Sequence, residues 1–156
     1  SKRLTPAARE ELAAVIMACA AQVVVVSASP ATIDRDGLHR TNLRLLSRAL
    51  AGIRPCADLA IVDGFALGPD APAHMRLVGG DALSAAVAAA SVIAKTTRDR
   101  LMAGPVAEAF PDFGFDQHVG YGTPAHRDAI RAAGPSSLHR RSFQSAAYLE
   151  LRLFEP

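Results

Sequence analysis

The sequence alternates helix-like and strand-like segments, and this alternation constrains the possible fold more than any other feature. Apolar residues with helical spacing cover four stretches, residues 7–20, 32–51, 84–102 and 124–133. Three short β-branched or aliphatic runs predict strands, at residues 22–27, 59–62 and 75–78, and the first reads as a buried strand. Helices that alternate with strands in this way are typical of an α/β domain.

Local signals predict where the helices begin. Thr5 followed by Pro6 predicts the N-cap and the first residue of the first helix, and Thr123-Pro124 predicts the start of the last helix. Gly37 predicts that the continuous helix in the second stretch begins after it. The chain contains no internal repeat and no low-complexity linker, so we predict a single domain.

Composition excludes several classes of protein. The 156 residues are 21% charged and 5% aromatic, which indicates a globular protein with an aliphatic core. We expect neither a membrane span nor a signal peptide. Cys19 and Cys56 fit neither a disulfide scaffold nor a metal motif, so we expect reduced, buried thiols in a cytoplasmic protein. The net charge of +2 is compatible with a nucleic-acid partner.

Two aspartates follow predicted strands and are candidates for a functional site. Asp63 comes directly after residues 59–62, and Asp81 follows residues 75–80. Ligand sites in α/β sheets form at the carboxyl ends of strands, where two carboxylates could hold Mg²⁺ together with substrate phosphate oxygens. Each residue alone also has a structural explanation, because Asp-Gly is a common turn and Asp81 could cap the helix that Ser84 begins.

Tyr121 lies between two glycines, Gly120 and Gly122. Flanking glycines allow a ligand to approach closely and leave the ring exposed. An exposed tyrosine can stack on a sugar and donate its hydroxyl hydrogen to a ribose 2′-OH, the group that distinguishes RNA from DNA. The alternative is a tyrosine that packs on the next helix.

Residues 118–141 contain four arginines but only one acid, Asp128, and this imbalance predicts a basic surface that binds phosphates. The basic residues are Arg127, Arg131, Arg140 and Arg141, with His118, His126 and His139 alongside. The alternative is an ordinary solvated face, which we favour for Arg40, Arg44 and Arg48 because they recur every four residues. The histidines lack the spacing of a zinc site.

Taken together, these residues resemble bacterial ribonuclease HII. The matching stretches follow the family's order from Ser1 to about Phe143, and this ordered combination is far more specific than any one stretch. They are Ser1-Lys2-Arg3-Leu4-Thr5, Val62-Asp63-Gly64, Gly80-Asp81 with Ser84, residues 87–95 with Thr97-Arg98-Asp99, residues 118–123, and His139-Arg140-Arg141-Ser142-Phe143.

The resemblance implies an RNase H-like mixed sheet flanked by helices. The family-like domain would cover residues 1–143, and residues 144–156 would form a C-terminal tail or helix. The implied activity is metal-dependent cleavage of the RNA strand in RNA/DNA hybrids. It includes cleavage on the 5′ side of ribonucleotides embedded in duplex DNA.

The resemblance also implies roles for individual residues. Family members use four carboxylates around Mg²⁺ or Mn²⁺, and two of them correspond to Asp63 and Asp81. Tyr121 corresponds to the family tyrosine that recognises the ribose 2′-OH at the RNA–DNA junction. Lys2 corresponds to a phosphate-contacting position, and Arg140 and Arg141 are further substrate-binding candidates.

One family segment has no counterpart in this sequence. Family members carry Asp-Glu-Ala-Gly-Arg-Gly on an early strand, which supplies the other two carboxylates and a loop that recognises the 2′-OH. We therefore expect this sequence to be a shortened chain, a chain that lacks residues at its start, or one half of a split protein. We also expect the first two family strands to be absent and this chain to be inactive by itself.

Two other functions remain open at the level of the sequence. The chain could be an inert RNA/DNA hybrid-binding fragment that retains Tyr121 and the basic stretch but lacks half of the metal ligands. It could also be a small flavodoxin-like nucleotide-binding domain. The second alternative ranks last, because no glycine-rich phosphate loop follows the first predicted strand.

The C-terminal residues carry a separate motif. The segment Glu150-Leu151-Arg152-Leu153-Phe154 resembles the peptide by which bacterial replication proteins bind the sliding clamp, although glutamate replaces the usual glutamine. Its three apolar side chains would fill pockets on the clamp. The favoured alternative is a last amphipathic helix over residues 146–154 that packs on its own domain.

Overall fold

The computed structural model describes residues 1–53 and 59–143. Within these residues, helices make up most of the regular structure. The longer helices are α1 (Pro6–Cys19), α2 (Pro30–Asp36), α3 (Leu38–Gly52), α5 (Ala85–Leu101) and α8 (Pro124–Ala133). The short ones are α4 (Gly80–Leu83), α6 (Ala107–Ala109) and α7 (Phe115–His118). The strands are β1 (Ile61–Asp63) and β2 (Met75–Leu77). The predicted α/β class is confirmed.

The helix boundaries follow the predicted signals. The Thr5 hydroxyl accepts the N–H of Ala8 at 3.2 Å at the start of α1, and Thr123 caps α8 in the same way. Gly37 separates α2 from α3 with a φ of 83°, a conformation that favours glycine. After α5, a π-helical turn covers Met102–Val106, which contains Pro105. Proline lacks the N–H needed for regular helical bonding and explains this departure.

The two strands pair in parallel, with Ile61 opposite Met75 and Asp63 opposite Leu77. Both predicted strands are thus confirmed, although each is shorter than its apolar run. The predicted strand at residues 22–27 is wrong, because the structure assigns no strand there. A β-branched run forms a strand only when a neighbour completes its hydrogen bonds, and the described residues supply none. Val25 is 51% exposed, so the run is not uniformly buried either.

Contacts divide the chain into two compact units. The first contains Ser1–Ala28 and Leu38–Thr97, and the second contains Ser29–Gly37 and Arg98–Pro156. A buried cluster in the first unit consists of Ala13, Val92 and Ile93, with Leu4, Ile16 and Val23 packed against it. The second unit has a cluster of Phe113, Phe115 and Ile130. Each unit therefore has a small core of its own.

Two further observations bear on the expectations from composition. Cys19 is exposed, so the prediction of a buried thiol is wrong for this residue, which is the last of α1. Cys56 lies outside the described residues. No helix in the described part of the chain is long and apolar enough to cross a membrane.

Candidate functional site

Asp63 is the last residue of β1, and its carboxylate contacts the segment that contains Asp81. The N–H of Gly80 donates to Asp63 Oδ1 at 2.9 Å. Because β1 and β2 are parallel neighbours, the chain leaving β2 passes the carboxyl end of β1. Gly80 is buried, and a Cβ at this position would lie 3.4 Å from Asp63 Oδ1 and 3.1 Å from Val87. A side chain at position 80 would therefore require Val87 to shift by a few tenths of an ångström, while its distance to Asp63 would be an ordinary contact.

Asp81 lies in the first turn of the short helix α4 and is exposed, as is Asp63. It does not cap α5, since the hydroxyl of Ser84 lies 3.5 Å from the N–H of Val87 and takes the capping position. Asp63 and Gly64 form a turn in which Gly64 has a φ of 74°. The structural explanation, that Asp63-Gly64 forms a turn, is therefore correct. It does not account for the hydrogen bond between Asp63 and Gly80.

The donor set at this strand end consists of carboxylate oxygens, which suit a hard divalent cation such as Mg²⁺ or Mn²⁺. Within residues 1–53 and 59–143, no three His, Cys, Asp or Glu side chains form a group that could hold a metal ion. A cation at Asp63 and Asp81 would therefore need further oxygens from substrate, water or additional residues. Two carboxylates plus substrate phosphate oxygens are a common arrangement for Mg²⁺.

Lys2 is exposed, and its neighbour Ser1 is held on α5. The hydroxyl of Ser91 donates to the hydroxyl of Ser1 at 2.7 Å. This contact links two of the stretches that carry the family resemblance. Ser1 is thus held against α5, and Lys2 lies at the surface, as a phosphate contact requires.

Tyr121 is presented on a constrained loop in the second unit. Tyr121 is 55% exposed, so it is not buried against α8 and is open to contact with a ligand. The guanidinium carbon of Arg98 lies 5.6 Å from the ring centroid. Two consecutive residues with positive φ precede Tyr121, Val119 at 44° and Gly120 at 79°. Gly122 has no such requirement and faces open space.

His118, His126 and His139, here called the histidine cluster, are buried beneath this loop. Their rings pack against Phe115 and against one another, with 4.4 Å between the centroids of His118 and His126. The prediction that these histidines belong to a basic surface is therefore wrong. Apolar neighbours exclude water from the rings, and burial lowers the pKa of His126 and lowers that of His139 to about 4.

Arg140 and Arg141 occupy a turn that an acidic side chain holds. The carboxylate of Asp34, on α2, accepts the N–H groups of Arg141 and Ser142 at 2.9 Å each and the Ser142 hydroxyl at 2.5 Å. The hydrogen bonds from Ser142 hold the pKa of Asp34 below its usual value. The guanidinium of Arg140 lies 4.7 Å from the centroid of the Phe143 ring, and Arg141 is exposed.

Arg131 and the three arginines of α3 lie on solvated faces. Arg131 pairs with Asp128 at 2.6 Å across one turn of α8. Arg40, Arg44 and Arg48 are all exposed on α3, which agrees with the interpretation favoured for them. Arg127, also on α8, is half-buried, and with Arg140 and Arg141 it stays a candidate for phosphate contact.

Sequence reasoning missed Asp34 entirely. It lies more than a hundred residues from its partners along the chain, and no local pattern marks it. The connections within the histidine cluster were also missed, because each histidine was judged by metal-ligand spacing. A signal was available in the three histidines of one stretch that also contains Phe113 and Phe115. The clamp-like segment Glu150-Leu151-Arg152-Leu153-Phe154 and its helical alternative lie outside the described residues.

Comparison with known proteins supports the resemblance. The family model for ribonuclease HII matches residues 1–146. A ribonuclease HII from Azorhizobium caulinodans is 44% identical over 99% of this chain and 59% of the relative. One from Xanthobacter autotrophicus is 46% identical over 99% of this chain and 61% of the relative. One from Nocardia farcinica is 43% identical over 100% of this chain and 62% of the relative.

The chain thus spans about three fifths of the length of these relatives. The match includes the whole of the first compact unit, the second unit as far as residue 146, and every predicted site residue. The mixed helical and parallel-strand arrangement is consistent with the RNase H-like fold expected from the resemblance. The chain belongs to the ribonuclease HII family.

Proposed function

We propose that this chain is part of an endonuclease that cleaves the RNA strand of RNA/DNA hybrids and cuts 5′ of ribonucleotides in duplex DNA. The family match over residues 1–146 carries the proposal. The hydrogen bond from Gly80 to Asp63 supports it, because the bond holds one candidate carboxylate beside the residue that precedes Asp81. The substrates are RNA/DNA hybrids and ribonucleotide-containing duplex DNA, which the enzyme would meet in the cytoplasm.

Asp63 and Asp81 would hold the divalent cation, Mg²⁺ or Mn²⁺. The cation, when bound, would supply positive charge that activates the attacking water and stabilises the leaving 3′-oxygen. The protein's contribution is to restrict the carboxylate of Asp63 through Gly80 and to keep both side chains open to substrate. Positioning of this kind lowers the cost of assembling the charged groups around the phosphate.

Tyr121 would recognise the ribose, while Lys2, Arg140 and Arg141 would contact phosphates. Phosphate contacts supply most of the affinity for nucleic acid, and contacts to the 2′-OH separate RNA from DNA. The four residues are exposed or half-buried, as such contacts require. Their roles therefore divide into affinity for any duplex and selectivity for ribonucleotides.

The direct test uses the intact protein and a labelled DNA duplex with one embedded ribonucleotide. With Mg²⁺ or Mn²⁺, we expect a single cut on the 5′ side of the ribonucleotide and no cut in the matched all-DNA duplex. An RNA/DNA hybrid of the same sequence should be cut in its RNA strand only. Absence of cleavage with either metal, or equal cleavage of the all-DNA duplex, would contradict the proposed function.

Replacement of Tyr121 by phenylalanine tests whether this residue contributes to selectivity for ribonucleotides rather than to affinity for any duplex. Tyr121→Phe keeps the ring but removes the hydroxyl, so the preference for a ribonucleotide-containing duplex over all-DNA should fall by roughly fivefold to tenfold. Affinity for the all-DNA duplex should change little, since phosphate contacts remain. Equal losses on the two duplexes, measured by fluorescence anisotropy, would show that Tyr121 only packs.

The C-terminal segment adds a candidate partner. Leu151, Leu153 and Phe154 would bind apolar pockets of the sliding clamp, which would recruit the enzyme to newly replicated DNA. A labelled peptide covering residues 147–156 can be titrated with the clamp of the same organism, with a Leu153→Ala and Phe154→Ala peptide as the control. Saturable binding that the control peptide lacks would support recruitment, and equal binding of both peptides would contradict it.

A further inference from the structure

The backbone around Tyr121 is held by the histidine cluster. The carbonyl oxygen of Tyr121 accepts a hydrogen bond from His126 Nδ1 at 2.9 Å. The N–H of Tyr121 donates to the carbonyl of His118 at 2.9 Å, and the N–H of Gly120 donates to His118 Nδ1 at 3.2 Å. The backbone conformation of the loop therefore depends on the buried rings of His118 and His126, although the side chain of Tyr121 is exposed.

The hydrogen bonds through the cluster have a defined direction. A carbonyl oxygen only accepts, so His126 Nδ1 carries the proton in its bond to Tyr121. The other nitrogen of that ring, Nε2, is then an acceptor, and it lies 3.0 Å from His139 Nε2. His139 Nε2 must donate across this distance. The remaining nitrogen, His139 Nδ1, accepts the N–H of Ser136 at 3.0 Å, which is consistent with that direction.

We propose that His126 and His139 are positioning residues whose directional hydrogen bonds, running from Ser136 to the carbonyl of Tyr121, set the position of Tyr121 and so its selectivity for ribonucleotides. Only the last part of this proposal, selectivity, rests on the proposed function. His126 contacts Tyr121 through the backbone carbonyl. The side chain of Tyr121 therefore stays exposed, while the backbone to which it is attached is held in place.

Three observations support a positioning role over simple packing. Val119 adopts a positive φ of 44°, which is unfavourable for a β-branched residue and persists only where surrounding contacts hold it. Both histidines are buried, at 6% and 8% exposure, so water does not compete for their hydrogen bonds. Burial also lowers the pKa of both rings and so keeps them neutral near neutral pH. A neutral ring has one donor and one acceptor nitrogen, as the hydrogen bonds of His126 and His139 require.

Two substitutions of His126 separate its two hydrogen bonds. The amide of asparagine lies near the position of Nδ1, so His126→Asn keeps a donor for Tyr121 and loses the contact with His139. The longer His126→Gln places its amide near Nε2, so it keeps the contact with His139 and loses the bond to Tyr121. Both variants remove the ring from Phe115 and His118 and should lose similar stability.

The measurement is the ratio of dissociation constants for the all-DNA duplex and the duplex with one ribonucleotide, in the intact protein. We expect His126→Gln to lower this ratio by roughly fivefold to tenfold, as Tyr121→Phe does, because the bond to Tyr121 is lost. His126→Asn keeps that bond and loses only the contact with His139, so we expect a smaller fall of about twofold to threefold. Ile130→Val, on the same helix and buried at 4%, is the control for lost stability alone and should keep the wild-type ratio.

A wild-type ratio in His126→Gln, when Tyr121→Phe has lost selectivity, would overturn the proposal and leave the proposed function intact. Equal losses in the asparagine and glutamine variants would also overturn it, since that result indicates packing alone. If Tyr121→Phe itself keeps full selectivity, the proposed function of Tyr121 fails and the selectivity part falls with it. The positioning part is then decided by a separate measurement.

That measurement is the tautomer of each ring in the wild-type protein, obtained from long-range ¹H–¹⁵N correlation at neutral pH. It needs neither substrate nor variant, so misfolding of a variant leaves the proposal testable. The proposal predicts a proton on Nδ1 of His126 and on Nε2 of His139. The opposite tautomer at His126, or a protonated ring at either position, would overturn it.

Discussion

The conformation of two neighbouring residues determines how Tyr121 is presented. Val119 and Gly120 both have positive φ, so the chain reverses sharply after α7 and exposes the next side chain. A β-branched residue in this region costs roughly 1–3 kcal/mol, which the hydrogen bonds to His118 and Phe115 must offset. Hydrogen bonds thus hold the loop without any ligand, and a loop already held in place loses less entropy on binding.

The two glycines beside Tyr121 should respond differently to substitution by alanine. Gly120→Ala places a Cβ at positive φ and 3.1 Å from the end of Met102, so the free energy of unfolding should fall by about 1–2 kcal/mol. Gly122→Ala meets nothing within 4 Å and should unfold like wild type. If substrate approaches Gly122 closely, this variant should nevertheless bind duplex more weakly.

Urea unfolding and duplex binding of the two variants check this pair. A destabilised Gly122→Ala protein, or a Gly120→Ala protein of wild-type stability, would contradict the backbone assignment. Unchanged binding by Gly122→Ala would show that the second glycine has no role in ligand approach.

Single residues were predictable from sequence where their signal is local. Asp63 and Tyr121 stand beside glycines at element boundaries, and the structure shows both side chains exposed. The histidine cluster was not predictable in this way, because burial depends on Phe113 and Phe115, whose packing emerges only in the folded chain.

At the scale of secondary-structure elements, α2 stabilises the turn that contains Arg140 and Arg141. Asp34 projects from this short helix and accepts three hydrogen bonds from the turn. The orientation of two candidate phosphate-binding side chains therefore depends on an element distant in sequence. Helices were predictable because caps such as Thr5 and Thr123 act locally, whereas residues 22–27 needed a partner strand that local sequence does not specify.

Replacement of Asp34 should destabilise this turn in a pH-dependent way. The pKa of Asp34 is lowered in the folded protein, so its contribution to stability is present above about pH 3.8 and is lost as pH falls through the folded pKa. Asp34→Asn should reduce the free energy of unfolding at pH 7 and weaken duplex binding. The difference from wild type should shrink below pH 4.

Asp36→Asn, on the same helix, is the matched control. Asp36 pairs with its neighbour Arg35, whose side chain is 71% exposed, and it makes no hydrogen bond to residues 141 and 142 among the contacts described. Urea unfolding between pH 3 and pH 7 compares the two variants. Equal effects of the two substitutions would contradict a specific role for Asp34 in holding the turn.

At the scale of the whole molecule, buried histidines link stability to pH. The folded pKa of His139 is about 4, below the unfolded value of 6.5, so the unfolded state binds more protons between these limits. Stability should therefore fall as pH decreases from about 6.5 to 4. Burial of the ring is the larger cause of this shift, and the neighbouring His126 adds to it.

The free energy of unfolding of wild type and His139→Gln, measured from pH 7 to pH 4, tests this linkage. Glutamine retains a donor for His126 but does not titrate, so the variant should lose less stability over this interval. Parallel curves for the two proteins would contradict the assignment of a buried neutral ring at this position.

The family match covers the first compact unit and most of the second, so the resemblance described more of the chain than its local patterns did. The parallel pairing of β1 and β2 brings the segment containing Asp81 to the carboxylate of Asp63. The sequence predicted that both residues follow strands. It did not predict that Gly80 makes the contact, because that depends on the register between the strands.

A double-mutant cycle of cleavage rates tests most directly whether Asp63 and Asp81 serve one cation. The intact protein, Asp63→Asn, Asp81→Asn and the double variant are assayed with Mg²⁺ on a duplex with one ribonucleotide. Each single substitution should lower the rate by at least about a hundredfold, and the second should add little, while duplex affinity stays within about threefold. Near-normal turnover in either single variant, or losses that multiply in the double variant, would contradict a shared metal site.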